Sequence, residues 1–216
     1  MSKTLEARVP LWKRILLSPI LLEKSQAQKL AYVGVMTALC IISNFFEIKL
    51  ADSQISLTIF TSMLTGILLG PLFGMVAAFF GDALAFFANP GGFIYMPWIG
   101  ISVAMMALIA GLAMKLPLHF RGSCYLKIAL ACIACLLVCS IGINTTGMYF
   151  FYTKTGFSSK ALNIIAERFG GVNMYWTYAL ARLVFMGQLI NNVANYALLF
   201  MIIPLLKVIK PLKLEI

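Results

Sequence analysis

Long apolar runs separated by short polar breaks limit the possible folds of this chain more than any other feature. Residues 126–151 carry one charged side chain, Lys127, and exceed the roughly 20 residues that a helix needs to cross about 30 Å of hydrocarbon. A mean hydropathy of +0.95 gives the whole chain the same character. Hydrocarbon offers no hydrogen bonds to the backbone, and these runs lack the alternation of barrel strands. We therefore predict an all-α membrane protein.

The apolar runs predict a bundle of six transmembrane helices. They cover about residues 30–46, 55–70, 72–88, 99–114, 126–151 and 178–206. Gly70-Pro71 separates the second run from the third because Gly-Pro is a strong helix breaker, although one kinked helix is the rival interpretation. Residues 1–26 are predicted to form a basic arm, cytoplasmic or interfacial, before a six-helix domain at residues 27–216.

Charge predicts the orientation of the bundle. The chain has 17 Lys and Arg against 7 Asp and Glu. Most basic residues lie in the N-terminal arm, between the fourth and fifth runs, and at the C-terminus. Cytoplasmic connections of membrane proteins are enriched in Lys and Arg, so both termini should be cytoplasmic. Because topology explains the positive charge, we predict no nucleic-acid partner.

Three connections should then face the outside, and one of them is aromatic. The stretch "NPGGFIYMPW" combines helix-breaking Pro and Gly with Phe93, Tyr95 and Trp98. These rings can stack on a flat ligand above a pocket. They can equally form the aromatic belt of a membrane interface.

A carboxylate within the third run, Asp82, needs a partner in the bundle interior. Arg182 or polar groups of the second run are candidates. A structural hydrogen bond is the favoured interpretation, and a proton or cation site is the other.

The fifth and sixth runs are unusually polar. Asn144 and Thr145 lie toward the outer part of the fifth, and the sixth contains Arg182, Gln188, Asn191, Asn192 and Asn195. Buried amides need hydrogen-bond partners, which a polar ligand or a neighbouring helix can supply. We expect Asn144, Thr145, Arg182 and Gln188 to contact a ligand. Asn192 and Asn195 lie deeper, and we expect them to join helices.

Small residues form a stripe on the first helix. Ala27, Ala31, Gly34 and Ala38 recur at helical spacing, so another helix can approach this face closely. The approaching helix can belong to this chain or to another membrane subunit.

The sequence contains no recognisable catalytic or metal-binding pattern. Cys132, Cys135 and Cys139 have helical spacing within an apolar run, which favours packing over zinc or redox chemistry. His119 is the single histidine. There is no phosphate-binding loop, paired carboxylate or nucleophile-base pair. We predict no enzyme activity, no metal and no cofactor.

Taken together, these features resemble the substrate-binding S components of energy-coupling factor (ECF) vitamin transporters. The likeness covers about residues 27–206. It includes the small-residue stripe, "GILLGPLFGMVAAFFGD", the Pro-Gly-Gly loop followed by "MPWIGISVAMMALIAGL", and "IGINTTGMYF". Within the family, the order of these segments is most similar to the folate branch.

The resemblance implies a multi-pass subunit of the bacterial cell membrane that binds a vitamin with high affinity from outside. It further implies a membrane coupling subunit and two cytoplasmic ATPases as partners, which would supply the ATP hydrolysis. Ala27, Ala31, Gly34 and Ala38 would contact the coupling subunit. Arg182 would pair with a ligand carboxylate, such as the glutamate tail of folate, since a guanidinium matches a carboxylate bidentately.

The chain departs from the folate pattern after Asn144 and Thr145. A longer segment precedes Arg182, and Gln188 follows at a wider spacing. A longer outer loop can cap a bulkier molecule, so cobalamin is an alternative to folate, and queuosine-type precursors remain open. A self-contained ion-coupled carrier or channel using Asp82 and Arg182 is the alternative class, although no inverted repeat is evident.

Overall fold

The computed structural model describes residues 10–22, 24–49, 54–89, 94–118, 120, 122–155, 167–168 and 175–206. The helices are α1 Leu11–Leu16, α2 Pro19–Leu22, α3 Gln26–Phe45, α4 Thr58–Leu69, α5 Pro71–Ala88, α6 Pro97–Met114, α7 Ser123–Ala134, α8 Thr146–Thr155, α9 Tyr175–Val184 and α10 Gln188–Leu206. A π-helical segment, Cys135–Thr145, joins α7 to α8.

Four of the described helices are long and apolar enough to cross a membrane: α3, α5, α6 and the continuous helix Ser123–Thr155. The bent pair α9 and α10 makes a fifth if it is one span. Helix α4 has 12 residues, about 18 Å at 1.5 Å per residue, which is short of the hydrocarbon thickness. The all-α membrane fold is confirmed, while the count of six spans and the cytoplasmic termini stay predictions.

The predicted break at Gly70 separates α4 from α5. Gly70 has φ 88°, a left-handed conformation that glycine adopts without a side-chain clash. Pro71 then begins α5, where its fixed φ and missing N–H suit the first turn. The single kinked helix offered as the rival interpretation was wrong.

The last predicted span, residues 178–206, differs from the structure. Helices α9 and α10 meet at an angle of 53°. Gly187, with φ 68°, lies between them and turns the chain. The single-helix prediction was wrong because the apolar run continues through this glycine without a proline to mark the break.

The connection after α3 also differs from prediction, since it contains a short hairpin. Strand β1 Glu47–Lys49 pairs antiparallel with β2 Gln54–Ser56, with Ile48 opposite Ile55. A pair of three-residue strands is unstable alone, so it requires support from the helices. Asn191 and Asn195 of α10 provide it through hydrogen bonds to the Ser56 backbone.

The N-terminal arm is partly built into the bundle. Leu21 is fully buried in the main apolar core, and Ser18 is also buried. The Ser18 N–H donates to the Leu69 carbonyl oxygen at the end of α4. Residues 1–9 lie outside the described residues, so the predicted side of the arm stays a prediction.

The core lies between α4, α5, α6 and the π-helical segment, with α3 at the edge. Within the most apolar 18 residues of each helix, 17% are buried in α3 and 50% in α6. Polar pairs nevertheless attach α3 to α4: Ser43 to Thr61 at 2.8 Å and Thr58 to Asn44 at 3.2 Å. The opposite face of α3 is open.

Candidate functional site

The π-helical segment ends at two of the predicted site residues. A π-helix closes i to i+5 hydrogen bonds, is rare, and is often found at functional sites. Thr145 reinforces it, because its hydroxyl donates to the Ser140 carbonyl oxygen five residues earlier at 2.8 Å. Asn144 precedes Thr145 and is partly buried.

The other two predicted site residues of this region lie at the break between α9 and α10. Arg182 lies in the last turn of α9 and Gln188 is the first residue of α10, so they flank the turn at Gly187. A broken membrane helix exposes polar groups at depth, which is why such breaks often line binding sites.

Arg182 contacts Asn144 through two hydrogen bonds. Its Nη1 donates to the Asn144 backbone oxygen and its Nη2 to Asn144 Oδ1, both at 3.3 Å. A guanidinium has five N–H donors, and the hydroxyls of Tyr178 and Tyr152 also interact with this one. In the described part of the chain, no carboxylate forms an ion pair with this guanidinium.

Thr145 and Gln188 meet beside the Asn144–Arg182 pair. Thr145 Oγ1 lies 3.4 Å from Gln188 Oε1, and Gln188 Nε2 donates to the Ser140 carbonyl oxygen at 3.2 Å. Four residues predicted from separate runs therefore lie together. We call Asn144, Thr145, Arg182 and Gln188 the polar cluster; ligand binding by it remains a prediction.

Trp98, near the start of α6, packs on Gly147, which lies about one helical turn after Asn144 of the cluster. Its indole ring covers Gly147, where a Cβ would overlap the ring atoms, and its centroid is 5.6 Å from that of Phe151. The indole nitrogen, Nε1, is buried and has no hydrogen-bond partner among the residues that the structure describes. A buried donor without an acceptor is unusual in a folded protein.

Sequence reasoning missed a tyrosine group beside the cluster. Tyr149 lies 5.5 Å from Tyr175 and 5.7 Å from Tyr178 between ring centroids. The Tyr175 hydroxyl donates to the Ile141 carbonyl oxygen at 3.1 Å, and Tyr178 is almost fully buried. The spacing of Tyr175 and Tyr178 on one face of α9 was the available signal.

Tyr95 is placed against α5, apart from these contacts. Its hydroxyl donates to Asp82 Oδ2 at 3.5 Å, and its ring lies 5.1 Å from Phe86. Burial, and then the Asp82 carboxylate, raise the pKa of the Tyr95 phenol, so it stays protonated and able to donate. Of the two candidate partners of Asp82, Arg182 was wrong, since it binds Asn144 instead. Phe93 lies outside the described residues.

Asn192 and Asn195 join helices, as expected. Asn195 accepts from the Phe60 N–H at 2.9 Å and donates to the Ser56 carbonyl oxygen at 2.7 Å. Asn192 accepts from the hydroxyls of Ser140 and Tyr196, both at 3.0 Å. Both side chains are buried with their polar groups bonded within the protein.

The four residues of the small-residue stripe, Ala27, Ala31, Gly34 and Ala38, are all exposed. A Cβ added at Gly34 would meet no atom within 4 Å. The stripe therefore does not pack a described helix of this chain, and the internal-packing interpretation was wrong.

Apolar helices around a partly buried polar cluster define a helical membrane protein, and comparison with protein families shows which family it belongs to. The model of the family described as ECF-type riboflavin transporter, S component, matches residues 24–174, so the chain belongs to that family. A search of curated proteins found no match. The chain is thus a vitamin-binding subunit of a bacterial ECF transporter in the membrane, it associates with other ECF components, and it is not itself an enzyme.

Proposed function

We propose that this chain captures a vitamin from outside the cell at the polar cluster and passes it to an ECF transporter. The observation that carries the proposal is the contact between Arg182 and Asn144. It joins the π-helical segment to the broken helix pair and leaves guanidinium donors directed to no carboxylate of the described chain. Trp98 and the tyrosine group supply aromatic surface beside it.

Three vitamins are the ligands to test. The matching family is described by riboflavin. Folate and cobalamin follow from the segment order and from the longer loop before Arg182. The vitamin is bound as cargo, and we propose no resident cofactor.

The ligand is tested by isolation. The chain is purified alone, denatured, and the released small molecules are identified by mass spectrometry. We expect one stoichiometric vitamin, whose identity names the ligand. If nothing is released, no vitamin binds, and the isolated chain carries out uptake with an ion gradient alone, the alternative carrier function is correct instead.

We further propose that the open face of α3 docks a membrane coupling subunit, which works with two cytoplasmic ATPases that hydrolyse ATP. The exposed stripe supports this, because small residues let two membrane helices approach closely. Ala27, Ala31, Gly34 and Ala38 are the proposed contacts.

Co-expression with the coupling subunit and the ATPases tests the docking face. Ala31→Trp and Gly34→Trp should abolish association in a pull-down, because an indole would hold the helices apart. Ile133→Trp is the matched control, at a position that is 56% exposed on α7. Association that survives both α3 substitutions would place the docking face elsewhere.

A further inference from the structure

The N-terminal arm combines exposed apolar side chains with basic residues at one end of the bundle. We propose that α1 lies in the membrane–water interface and binds the surface of a bilayer that contains acidic phospholipids. The partner is a lipid surface and not the vitamin, so the inference goes beyond the proposed function. Either of the two can fail without the other.

The arm is held at the end of the bundle where α4 meets α5. The Ser18 N–H donates to the Leu69 carbonyl oxygen at 3.3 Å, and a Cβ added at Gly70 would meet the same Ser18 nitrogen. Leu21 has no exposed surface and belongs to the main apolar core. Helix α1 ends two residues before Ser18 and contacts α5, so buried groups hold it at this end.

The same end of the bundle contains the connection between α6 and α7. A Cβ added at Gly111 would meet the Pro71 nitrogen, so the last turn of α6 lies beside the start of α5. Lys127 of α7 is buried, and its Nζ donates to the carbonyl oxygen of Met114 at 3.4 Å. Lys115 follows Met114 directly. The arm and this connection therefore bring basic residues to one end of the protein.

Basic residues outnumber acidic ones in both segments. Residues 1–24 contain five basic and two acidic residues, which are Lys3, Arg8, Lys13, Arg14 and Lys24 with Glu6 and Glu23. Residues 115–127 contain three basic residues and no acidic one. A surface of acidic phospholipid is negative, and each Lys or Arg near it adds about fivefold to the affinity. Charge complementarity therefore favours an acidic membrane surface as the partner.

Helix α1 also exposes apolar side chains, which a purely electrostatic contact would not need. Trp12 is 57% exposed and Ile15 is 43% exposed, and their spacing of three residues puts them on one side of the helix. Tryptophan beside basic residues is typical of interfacial helices, whose apolar side enters the headgroup region by about 5–10 Å. Six residues give about 9 Å of helix, so α1 can lie on a membrane but cannot cross one.

Quenching of Trp12 fluorescence tests the inference on the full chain in nanodiscs of phosphatidylcholine. A small fraction of the lipid, either phosphatidylglycerol or phosphatidylcholine, has a nitroxide near the upper end of one acyl chain. The difference in emission between the chain and Trp12→Phe isolates the signal of Trp12. We expect the acidic labelled lipid to quench it at least about threefold more strongly than the neutral one. This preference should disappear in about 1 M salt, where the Debye length is about 3 Å.

Arg14→Gln and Lys154→Gln form a matched pair of variants. Both side chains are exposed, and Lys154 lies in the last turn of α8, at the far end of the continuous helix that begins at Ser123. Arg14→Gln should lower the preference for the acidic lipid by about twofold or more, whereas Lys154→Gln should leave it unchanged. Ile15→Ser should lower the quenching by both labelled lipids, because it removes apolar surface from α1. Thermal unfolding checks that each variant is folded.

Two results would overturn the inference. Equal quenching of Trp12 by the two labelled lipids at low salt would mean that α1 does not select acidic phospholipid. No quenching by either lipid would mean that α1 lies away from the membrane surface, and its exposed side chains would then be assigned to a protein partner. Neither result changes the test of vitamin capture, which is mass spectrometry of the molecules released from the isolated chain.

Discussion

Two helix breaks in this protein both contain a glycine with positive φ, but their surroundings differ. Gly70 between α4 and α5 and Gly187 between α9 and α10 both have positive φ, 88° and 68°. The first is enclosed by backbone: a Cβ at Gly70 would meet the backbone of Ser18, and one at Gly111 would meet Pro71 and Gly66. The second is flanked by the polar side chains of Arg182 and Gln188.

The difference indicates what each break does. Around Gly70, glycines let helices touch backbone to backbone, so the break is part of the packed core. Around Gly187, the polar side chains of Arg182 and Gln188 are hydrogen-bonded to the π-helical segment. We propose this polar break, and not the packed one, as the ligand site.

The largest effect that tests this comparison is expected at Gly66, which lies one turn before the Gly70 break. A Cβ there would overlap the carbonyl group of Ala107, and backbone cannot move aside cheaply. We expect Gly66→Val to lower the free energy of unfolding by about 3 kcal/mol or more. Thermal unfolding of the isolated chain in detergent measures it.

Gly34→Val is the matched control, because a Cβ at Gly34 meets no atom within 4 Å. Its stability should stay within about 1 kcal/mol of the original chain. Equal stability of the two valine variants would mean that the glycines near Gly70 are not required for packing.

This first break was predictable from the sequence, and the second was not. Gly-Pro within an apolar run signals a break by itself. Gly187 has no proline beside it, so the sequence has no comparable signal for its positive φ. The hairpin was missed as well, because its support comes from Asn191 and Asn195, which are more than 130 residues away along the chain.

The candidate site was predictable in its residue types more than in its partners. Asn144 and Arg182 are polar residues within apolar runs, and this pattern indicated both as candidate site residues. Their contact, and the tyrosine group around Tyr149, depend on distances that sequence spacing across separate helices does not contain. Arg182, one of the candidate partners of Asp82, was wrong for the same reason.

An intermediate effect is expected at Asn195, which separates polar residues that hold the fold from those that bind. Asn195→Leu leaves the Phe60 N–H and the Ser56 carbonyl oxygen without their partner. We expect a loss of about 2 kcal/mol in the free energy of unfolding, with little change in the affinity of the folded chain for its ligand.

Asn144→Leu is the matched comparison, since the site contains the same side chain in a different role. It should change the free energy of unfolding by less than Asn195→Leu and reduce ligand affinity by about tenfold or more. The reverse ranking, measured by thermal unfolding and by titration, would mean that the asparagines of the core and of the cluster were assigned the wrong way round.

At Gly187 itself, the expected effect on stability is smaller than at Gly66 or Asn195, and this position is the sharpest test of the second break. An alanine in the left-handed region costs roughly 1–2 kcal/mol, so Gly187→Ala should be modestly destabilised. Relaxing that strain would rotate α9 relative to α10 and separate Arg182 from Gln188. Ligand affinity, measured by titration, should therefore fall further than stability does. Gly187→Asn, which tolerates this φ better, should keep more of both. If affinity is retained in Gly187→Ala while stability falls, the bend serves packing alone, and the two breaks are equivalent after all.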